Sequence, residues 1–358
     1  MTALVKVYSR TDEYLTTLEN AQLGRRSWAI NKIGDLDFRL PRNDPKATEQ
    51  NLGSLNLVMV KSDTGLTQWG GQIQSVSWEY PAYVYCKAKT KETLLKRHVI
   101  EDWTTSTGTA NREASGTIVE TLLKLELSDS GGIPGISVGN ILSTGESIEW
   151  TAQGADLWDD VIQGVITELD DQRVKSYVWV DADGAFNWAL DRGEDKSSTV
   201  VIYQGRHLTR YPKYSIDYSK IITQAIGYSN QSAWASKYKM PQRNVPAWNK
   251  WGTLEGVVTA VNGSSAATAE KFARMLVRAN YAPYETFDFT INNKDGIWAK
   301  FQLGDTIRAV LPLCGWRDKG GFDGRIRITG LEVVENKEHL RLIGEVVVDA
   351  AAEEWSTF

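Results

Sequence analysis

The sequence predicts a β-rich α+β protein with two β-barrel domains and an α+β domain between them. In the first hundred residues, apolar and polar residues alternate in five runs separated by Gly, Pro, Asn and Asp, as expected of half-buried antiparallel strands. Four further runs of this kind lie within 285–348. Helical periodicity is confined to 113–127, 155–172 and 264–281. The strand runs are, in chain order, "ALVKVYS", "GDLDFRLP", "LNLVMVKS", "GQIQSVSWE", "AYVYCKAK", "ETFDFTI", "GDTIRAVLP", "GRIRITGLEVVE" and "HLRLIGEVVV".

The order of these patterns sets the predicted domain boundaries. Residues 1–100 are predicted to form the first barrel and 101–212 the α+β domain. Residues 213–348 are predicted to form the second barrel, followed by a C-terminal tail at 349–358.

Local patterns assign structure inside these domains. The helix at 155–172, which Asp156 can cap, precedes a hairpin at 176–190 whose two strands are joined by "DADG". The helix at 264–281 is inserted in the second barrel, and Asn230–Gly252 has the composition of a long loop with a role in contacts. The apolar stripe of the helix at 155–172 comprises Leu157, Val161, Val165 and Leu169. The apolar face of the helix at 264–281 comprises Phe272, Met275, Leu276 and Ala279.

Composition and charge disfavour several classes of protein. The 358 residues are 42% hydrophobic and 24% charged, which is typical of globular domains. No apolar run is long enough for a membrane helix and the N-terminus has no leader pattern, so we expect synthesis in the cytoplasm without direct membrane insertion. A net charge of -5 disfavours a dedicated nucleic-acid binder. Cys86 and Cys314 lack metal-type spacing and are expected to stay reduced.

The sequence predicts no catalytic, cofactor-binding or metal-binding residues, and no cofactor. His98, His207 and His339 are dispersed, with no nucleophile elbow or zinc motif beside them. The turn "DADG" (Asp181–Gly184) resembles the start of a calcium loop but lacks the third acidic position and the final Glu, so a hairpin turn is favoured. Five carboxylates on or after the predicted helix at 155–172 could serve glycoside hydrolysis, although a solvated helix face also accounts for them. They are Asp159, Asp160, Glu168, Asp170 and Asp171.

The glycine pair Gly70–Gly71 raises the alternative of a phosphate-binding loop. No Lys-Ser or Lys-Thr follows the pair and no helix begins there, so neither nucleotide motif applies. The stretch "RGEDKSST" (Arg192–Thr199) also lacks a glycine loop. The pair is therefore interpreted as a tight backbone path before an alternating strand.

An internal repeat relates the two strand sets. Aligning Gly71 with Gly324 places Ile73 on Ile326, and each set shows a strand, a glycine-containing loop, a strand, a turn and a further strand. This shared order favours a duplicated β-barrel unit. The same alignment places Glu79 on Glu332, and the pair Gly320–Gly321, which lies ahead of Gly324, is taken as the companion of Gly70–Gly71.

A series of short motifs runs through nearly the whole chain. It begins with "DLDFRLPRNDP" (Asp35–Pro45), "WGGQI" (Trp69–Ile73) and "TLLKRHV" (Thr93–Val99). It continues with the hairpin "VWVDADGAFNWAL" and the strands "LGDTIRAVL" and "GRIRITGLEVV". In this order the motifs resemble those of phage tail hub proteins, the tail-associated proteins at the tail tip of long-tailed phages.

This resemblance implies a structural protein without enzymatic activity. It implies a homotrimeric ring, in which six tail-tube-like barrels meet a six-fold tail tube, located at the tail tip of the virion after assembly in the host cytoplasm. The ring would join distal tail or tube proteins to tip or fibre proteins and let DNA pass transiently without specific binding. Because the chain stops at "AAEEWSTF", any cell-wall-cutting or adhesive activity is expected in another protein.

The 14 Trp and 14 Tyr residues leave other interpretations open. Aromatic side chains lining a groove would indicate a carbohydrate-binding module of a host-recognition protein. Two carboxylates across a cleft would indicate a glycoside hydrolase. Aromatic residues scattered along strands instead serve in the core or in subunit contacts.

Overall fold

The computed structural model describes residues 4–53, 55–61, 66, 68–79, 82–97, 103–104, 113–114, 136–141, 147–148, 151–152, 177–189, 193–228, 239–259, 266–314, 321–334, 339–347 and 355–356. The strands up to the middle of the chain are β1 (Leu4–Tyr8), β2 (Tyr14–Leu18), β3 (Gln22–Ala29), β4 (Asp35–Pro41), β5 (Leu57–Lys61), β6 (Trp69–Glu79), β7 (Tyr83–Thr90), β8 (Trp103–Thr104), β9 (Glu113–Ala114), β10 (Ser137–Ile141), β11 (Ser147–Ile148), β12 (Thr151–Ala152), β13 (Tyr177–Val180) and β14 (Ala185–Ala189). The strands that follow are β15 (Val201–Tyr203), β16 (Lys213–Asp217), β17 (Gln224–Tyr228), β18 (Lys239–Asn244), β19 (Glu255–Thr259), β20 (Tyr284–Asn292), β21 (Thr306–Leu311), β22 (Phe322–Val334), β23 (His339–Val346) and β24 (Trp355–Ser356). The helices are α1 (Glu49–Leu52), α2 (Val245–Trp251) and α3 (Ala266–Asn280), with 3₁₀ segments at Lys91–Arg97 and Lys294–Lys300.

Contacts divide the chain into two compact units. Unit 1 contains 1–165, 176–213 and 288–344, and unit 2 contains 166–175, 214–287 and 345–358. Each unit is assembled from separate parts of the chain, whereas the sequence-based ranges 1–100, 101–212, 213–348 and 349–358 are consecutive. Those ranges stay a prediction, because a compact set of contacts does not by itself define a folding domain.

One sheet of unit 1 combines strands from both ends of the chain. Its strands lie in the order β20, β23, β22, β3, β4, β7, β6, β5, β1 and β2, and β21 pairs with both β22 and β15. The two strand sets meet where residues 330–334 of β22 pair antiparallel with residues 25–29 of β3. At 13 residues, β22 is long enough to pair with β21 and then continue to this second ladder.

This pairing confirms the predicted predominance of β-structure but changes its arrangement. Closed barrels are not found among the described strands, because the ladder formed by residues 330–334 joins both sets in one sheet. In the part of the chain that the structure describes, β2 pairs with β1 alone, so the sheet has an open edge there.

The predicted internal repeat is visible as two meanders. In the first, β5, β6 and β7 are neighbours, and Gly71 lies opposite Val58 of β5. In the second, β21, β22 and β23 are neighbours, and Gly324 lies opposite Ala309 of β21. The aligned residues Ile73 and Ile326 are both fully buried. The order of strands that the repeat predicts is therefore confirmed.

The core of the first strand set follows from its period-two pattern. Along β4 and β7 every second residue is buried, as expected of strands with one face on the core. Apart from Pro41, the alternate residues of β4 and β7 are polar or aromatic, and they lie on the opposite face. The buried cluster contains Val5, Val7, Leu18, Leu23, Leu36, Phe38, Leu40, Leu52, Val58, Val60, Trp69, Ile73, Val84, Cys86 and Ala88.

The hairpin predicted at 176–190 is confirmed as the antiparallel pair β13 and β14, to which β10 adds a parallel strand. The helix predicted at 155–172 lies outside the described residues. Of the helix predicted at 113–127, the structure describes Glu113–Ala114, which form the strand β9 paired with β11.

Unit 2 contains a sheet in the order β19, β17, β18 and β24, with α3 packed on it. The helix predicted at 264–281 is confirmed by α3, and Phe272 and Met275 are buried as expected. Ala279 is exposed, contrary to the prediction, and Ala273 and Val277 form the contact with β17 instead. The periodicity located the helix but shifted its apolar face by part of a turn.

The prediction of a loop at Asn230–Gly252 was wrong for its second half. The structure has β18 and α2 there. Asn244 caps α2, because its Oδ1 accepts a hydrogen bond of 2.9 Å from the Ala247 N–H, and Pro246 occupies the first turn. The helix-start signal, Asn244 followed by Pro246, was not recognised because the stretch is rich in tryptophan and polar residues. Residues 230–238 lie outside the described part.

Candidate assembly surface

The glycine pair lies inside β6, where both backbones run close to other segments. A Cβ atom on Gly70 would lie 2.4 Å from the Ala182 carbonyl oxygen, and one on Gly71 would lie 2.1 Å from the Lys89 carbonyl oxygen. Both residues also pair with β5 in the sheet. The backbone groups are therefore part of a packed ladder, which supports close approach as the reason for the glycines.

Ala182 belongs to the turn of the β13–β14 hairpin, which packs on this part of β6. The Asp181 carboxylate accepts hydrogen bonds from Trp179 Nε1 at 3.1 Å and from Asn187 Nδ2 at 2.8 Å. Gly184 has a positive φ of 105°, as a tight turn requires. The predicted hairpin turn is confirmed, and the Asp181 carboxylate serves the hairpin itself.

A second element anchors the same hairpin. The Val180 N–H donates a hydrogen bond of 3.1 Å to Glu92 Oε1, in the 3₁₀ segment that follows β7. Thr90, the last residue of β7, accepts a bond of 2.9 Å from the Gly34 N–H. The motif "TLLKRHV" thus follows a segment that fixes the hairpin to the sheet.

The stretch that follows Arg192 runs along β21 with a turn at 197–199, and we call residues 193–203 the strap. Val201 lies opposite Arg308 in a parallel ladder between β15 and β21. At the start of the strap Gly193 has a positive φ of 93°, and a Cβ there would lie 2.2 Å from the Gly304 carbonyl carbon. This explains the glycine of "RGEDKSST" without a phosphate.

Asp305 anchors the start of the strap through its side chain. The sequence alone did not identify it as a structural residue. Its side chain is 0% exposed and forms an ion pair of 2.8 Å with Lys196 Nζ. It also accepts hydrogen bonds of 2.8 Å from the N–H groups of Glu194 and Gln302. The "GD" of the motif "LGDTIRAVL" was the available signal, and the structure supplies its physical role.

The described histidine side chains occupy structural positions. His207 is buried, and its Nδ1 accepts a hydrogen bond of 3.0 Å from the Tyr203 N–H. His339 lies in β23, and His98 lies outside the described residues. No group of three His, Cys, Asp or Glu residues in the described ranges is placed to bind a metal.

The carboxylates considered for glycoside hydrolysis lie outside the described residues. They are Asp159, Asp160, Glu168, Asp170 and Asp171.

Burial raises the pKa of the Cys86 thiol to about 12, so the thiol stays protonated at neutral pH. Cys314 is also buried. Among the described helices, none combines the length and apolar character needed to span a bilayer.

The exposed aromatic residues of unit 1 are spread over different elements. Trp78 on β6 is 68% exposed and lines a cleft of about 440 Å³ whose other walls are mostly aliphatic, including Leu52 and Val84. Tyr14 on β2 and Tyr211 after β15 are exposed on other segments. An aromatic-lined groove of the kind that binds sugars is not formed by these described residues.

The polar face of the sheet carries paired charges. Arg341 forms two hydrogen bonds to Asp288, of 2.9 and 2.7 Å, and an ion pair of 3.3 Å with Glu332. Arg25 of β3 reaches the same Glu332 at 3.1 Å, so the network crosses the junction between the strand sets. Asp288 and Arg341 each stabilise the charged form of the other. The hydrogen bond between them lowers the pKa of Asp288 and raises the pKa of Arg341.

The open edge at β2 is a feature suited to binding another chain. An edge strand presents backbone N–H and C=O groups that a neighbouring strand can pair with. The edge is partly shielded at one end, where Lys46 Nζ donates a hydrogen bond of 2.7 Å to the Thr17 carbonyl. Tyr14 is exposed at the other end. We call Tyr14–Leu18 the β2 edge.

No protein-family model matches this sequence, and no curated protein matches it. Solved structures do match its fold. Prophage tail protein gp18 from Listeria monocytogenes is 12% identical with a TM-score of 0.66, over 95% of this chain and 94% of that chain. The 43 kDa tail protein of prophage MuSo2 from Shewanella oneidensis is 10% identical with a TM-score of 0.64, over 96% and 97%.

A tail protein from Neisseria meningitidis is 11% identical, with a TM-score of 0.62 over 98% of both chains. Identities this low establish similarity of fold alone. The predicted resemblance to phage tail proteins is confirmed at that level, because all three structures are of tail or prophage tail proteins. The chain therefore has the fold of prophage tail proteins over nearly its entire length.

Proposed function

We propose that this protein is a structural hub of a phage tail, a homotrimeric ring at the tail tip without enzymatic activity. The observation that carries the proposal is the fold shared with prophage tail proteins over at least 94% of each chain compared. Those proteins are tail or prophage tail proteins, and the extension to a hub at the tail tip is the proposal.

The two meanders support the stoichiometry. One chain contains two similar strand units, so three chains present six units to a six-fold tube. The open β2 edge supports ring formation, because strand pairing with a neighbouring chain satisfies an edge that would otherwise promote uncontrolled association. Closure into barrels is then completed between chains rather than within one.

The proposed partners are distal tail or tube proteins on one side of the ring and tip or fibre proteins on the other. DNA would pass through the ring transiently, without specific binding. The paired charges on the polar face, such as Arg341 with Asp288, and the net charge of -5 both disfavour retention of a polyanion. The protein would assemble in the host cytoplasm and reside in the virion.

The proposal is tested by measuring the mass of the purified protein in solution and imaging it by electron microscopy. The expected result is a particle of three times the chain mass with a central opening. Immunogold labelling of phage particles should place it at the tail tip. A monomer at all concentrations, with no ring alone or in virions, would contradict the proposal.

A further inference from the structure

The repeat in the sheet extends over five strands of each set. In sheet order the first set runs β3, β4, β7, β6 and β5, and the second runs β16, β20, β23, β22 and β21. The strands also follow one another along the chain in the same order in both sets. β16 is therefore the counterpart of β3, although residues 218–283, which contain most of unit 2, separate it from β20.

The junction inside the chain joins one repeat to the other along one edge of β22. β21 pairs with residues 322–327 of β22, and β3 pairs with residues 330–334. β23 occupies the other edge of β22. Leu331 lies opposite Trp28 of β3 and is 5% exposed. The second half of β22 is thus covered by a strand that belongs to the other repeat.

The corresponding half of β6 lacks such a neighbour among the described strands. The alignment of Gly71 with Gly324 places residues 77–81 on 330–334 and Trp78 on Leu331. β5 pairs with residues 69–72 of β6, whereas residues 75–79 pair with β7 alone in the part of the chain that the structure describes. We call residues 75–79 the β6 extension.

Trp78 lies on the side of the sheet that is otherwise buried. It is opposite Val84 of β7, which is 1% exposed, and residues opposite each other in a ladder point to the same face. Trp78 itself is 68% exposed and lines the cleft beside Leu52 and Val84. Burying a tryptophan removes about 150–250 Å² from water, so this position favours a partner that covers it.

β16 is an edge strand that can supply this cover. It pairs with β20 alone among the described strands, so its other edge can accept a strand. Tyr214 and Ile216 alternate along β16 and share a face. The Tyr214 ring stacks on the buried Phe287, with 4.6 Å between the ring centroids. Tyr214 and Ile216 therefore lie on the core face of their sheet, as Trp78 does on its own.

We propose that the β6 extension of one chain pairs antiparallel with β16 of a second copy, so that the contact between chains repeats the junction inside the chain. This inference rests on the proposed ring and names the surface that forms it. The two strands are different surfaces, so the contact is head-to-tail and generates a ring when its rotation closes. Three junctions inside chains would then alternate with three between chains.

Cross-linking of the full chain through introduced cysteines tests the contact. Ser77 and Ser215 are exposed on faces away from the core, whereas the native Cys86 and Cys314 are buried. Co-expressed Ser77→Cys and Ser215→Cys chains should be linked in pairs by a short bis-maleimide, and the double variant should give linked trimers. Each single variant alone should stay unlinked, because the contact is head-to-tail. Ser198→Cys, in the strap beside β21, replaces Ser215→Cys as the control and should not be linked to Ser77→Cys.

Trp78→Ala tests the same contact through assembly. The substitution should raise the dissociation constant of the ring, measured by analytical ultracentrifugation, by at least about tenfold, as expected of a tryptophan at the centre of an interface. Tyr211→Ala is the matched control, because Tyr211 is an aromatic residue that is 82% exposed on another segment, and it should leave the constant unchanged. Circular dichroism checks that both variants are folded.

The outcomes separate this contact from the proposed function. Normal assembly of Trp78→Ala, or linking of Ser77→Cys to Ser198→Cys as readily as to Ser215→Cys, would overturn the contact and leave the proposed hub standing. A wild-type protein that is monomeric at all concentrations, alone and in virions, would contradict both. If Trp78→Ala does not fold, the cross-linking result decides.

Discussion

Trp69, Gly71 and Ile73 show how single residues define the first meander. They alternate along β6 and so lie on one face, where Trp69 and Ile73 are fully buried. A Cβ on Gly71 would lie 2.4 Å from Cη2 of the Trp69 ring. The ring occupies the space that any larger side chain would need. The pattern Trp-x-Gly-x-Ile therefore encodes a large side chain folded over a small one.

Gly71→Val should destabilise unit 1 by at least about 3 kcal/mol. The new side chain meets both the Lys89 carbonyl and the Trp69 ring, and neither can withdraw without disturbing the sheet. Chemical denaturation followed by tryptophan fluorescence measures the change. Gly205→Val is the control, because a Cβ there meets nothing within 4 Å, and it should change stability by less than about 0.5 kcal/mol. Equal effects of both substitutions would refute the packing argument.

At the scale of elements, the start of the strap is held by the ion pair between Lys196 and the buried Asp305. Lys196→Met should cost about 2 kcal/mol, because Asp305 keeps two backbone hydrogen bonds but loses its countercharge. Lys87→Met, on the exposed face of β7, should cost much less and serves as the control. Denaturation of the two variants at neutral pH measures both costs, and a difference near zero would show that the strap does not need the pair.

The same ion pair predicts a pH dependence. The hydrogen bond to Asp305 raises the pKa of Lys196 above 10.5, so the folded protein holds this proton more tightly than the unfolded chain. The stabilisation is complete below 10.5 and is lost as pH rises through the higher, folded-state pKa. The stability difference between wild type and Lys196→Met should therefore shrink in this alkaline range. A difference that grows there would contradict the assignment.

In unit 2, the contact between α3 and β17 depends on a glycine. A Cβ on Gly227 would lie 1.8 Å from the Ala269 carbonyl oxygen of α3. Gly227→Ala should therefore loosen α3, with a cost above about 2 kcal/mol, and hydrogen exchange of α3 should accelerate. Val257→Ala on the exposed side of β19 is the control and should leave this exchange unchanged. Normal protection of α3 in the glycine variant would show that the helix can shift freely.

Sequence patterns predicted elements better than their pairing. Alternation located the strands, and "DADG" located a hairpin turn, because both signals are local. The junction between β22 and β3 was not predictable, because no local pattern in residues 330–334 indicates that they pair with residues 25–29. The candidate surface shows the same limit. The β2 edge and the Asp305 anchor depend on contacts between distant residues.

At the scale of the whole molecule, the important result is that both strand sets of unit 1 share one sheet. Two separate barrels would each have their own core and could unfold independently. The ladder between β22 and β3 instead makes the two meanders parts of one structure, and the ion pair of Arg25 with Glu332 crosses the same junction. The two similar meanders are thus joined in one sheet, and this junction would hold a fixed spacing between them in the proposed ring.

Ile73→Val tests this coupling. The substitution removes one buried methylene group from β6 and should cost about 1 kcal/mol, a loss too small to change the fold. If the strand sets unfold together, the slowest-exchanging amides of β22 should lose protection by the same factor as those of β6, about fivefold. Val257→Ala in unit 2 should leave both strands unchanged, because its side chain is 65% exposed. Reduced protection in β6 alone would show that the meanders unfold independently despite their shared ladder, and would favour the two-barrel interpretation of the repeat.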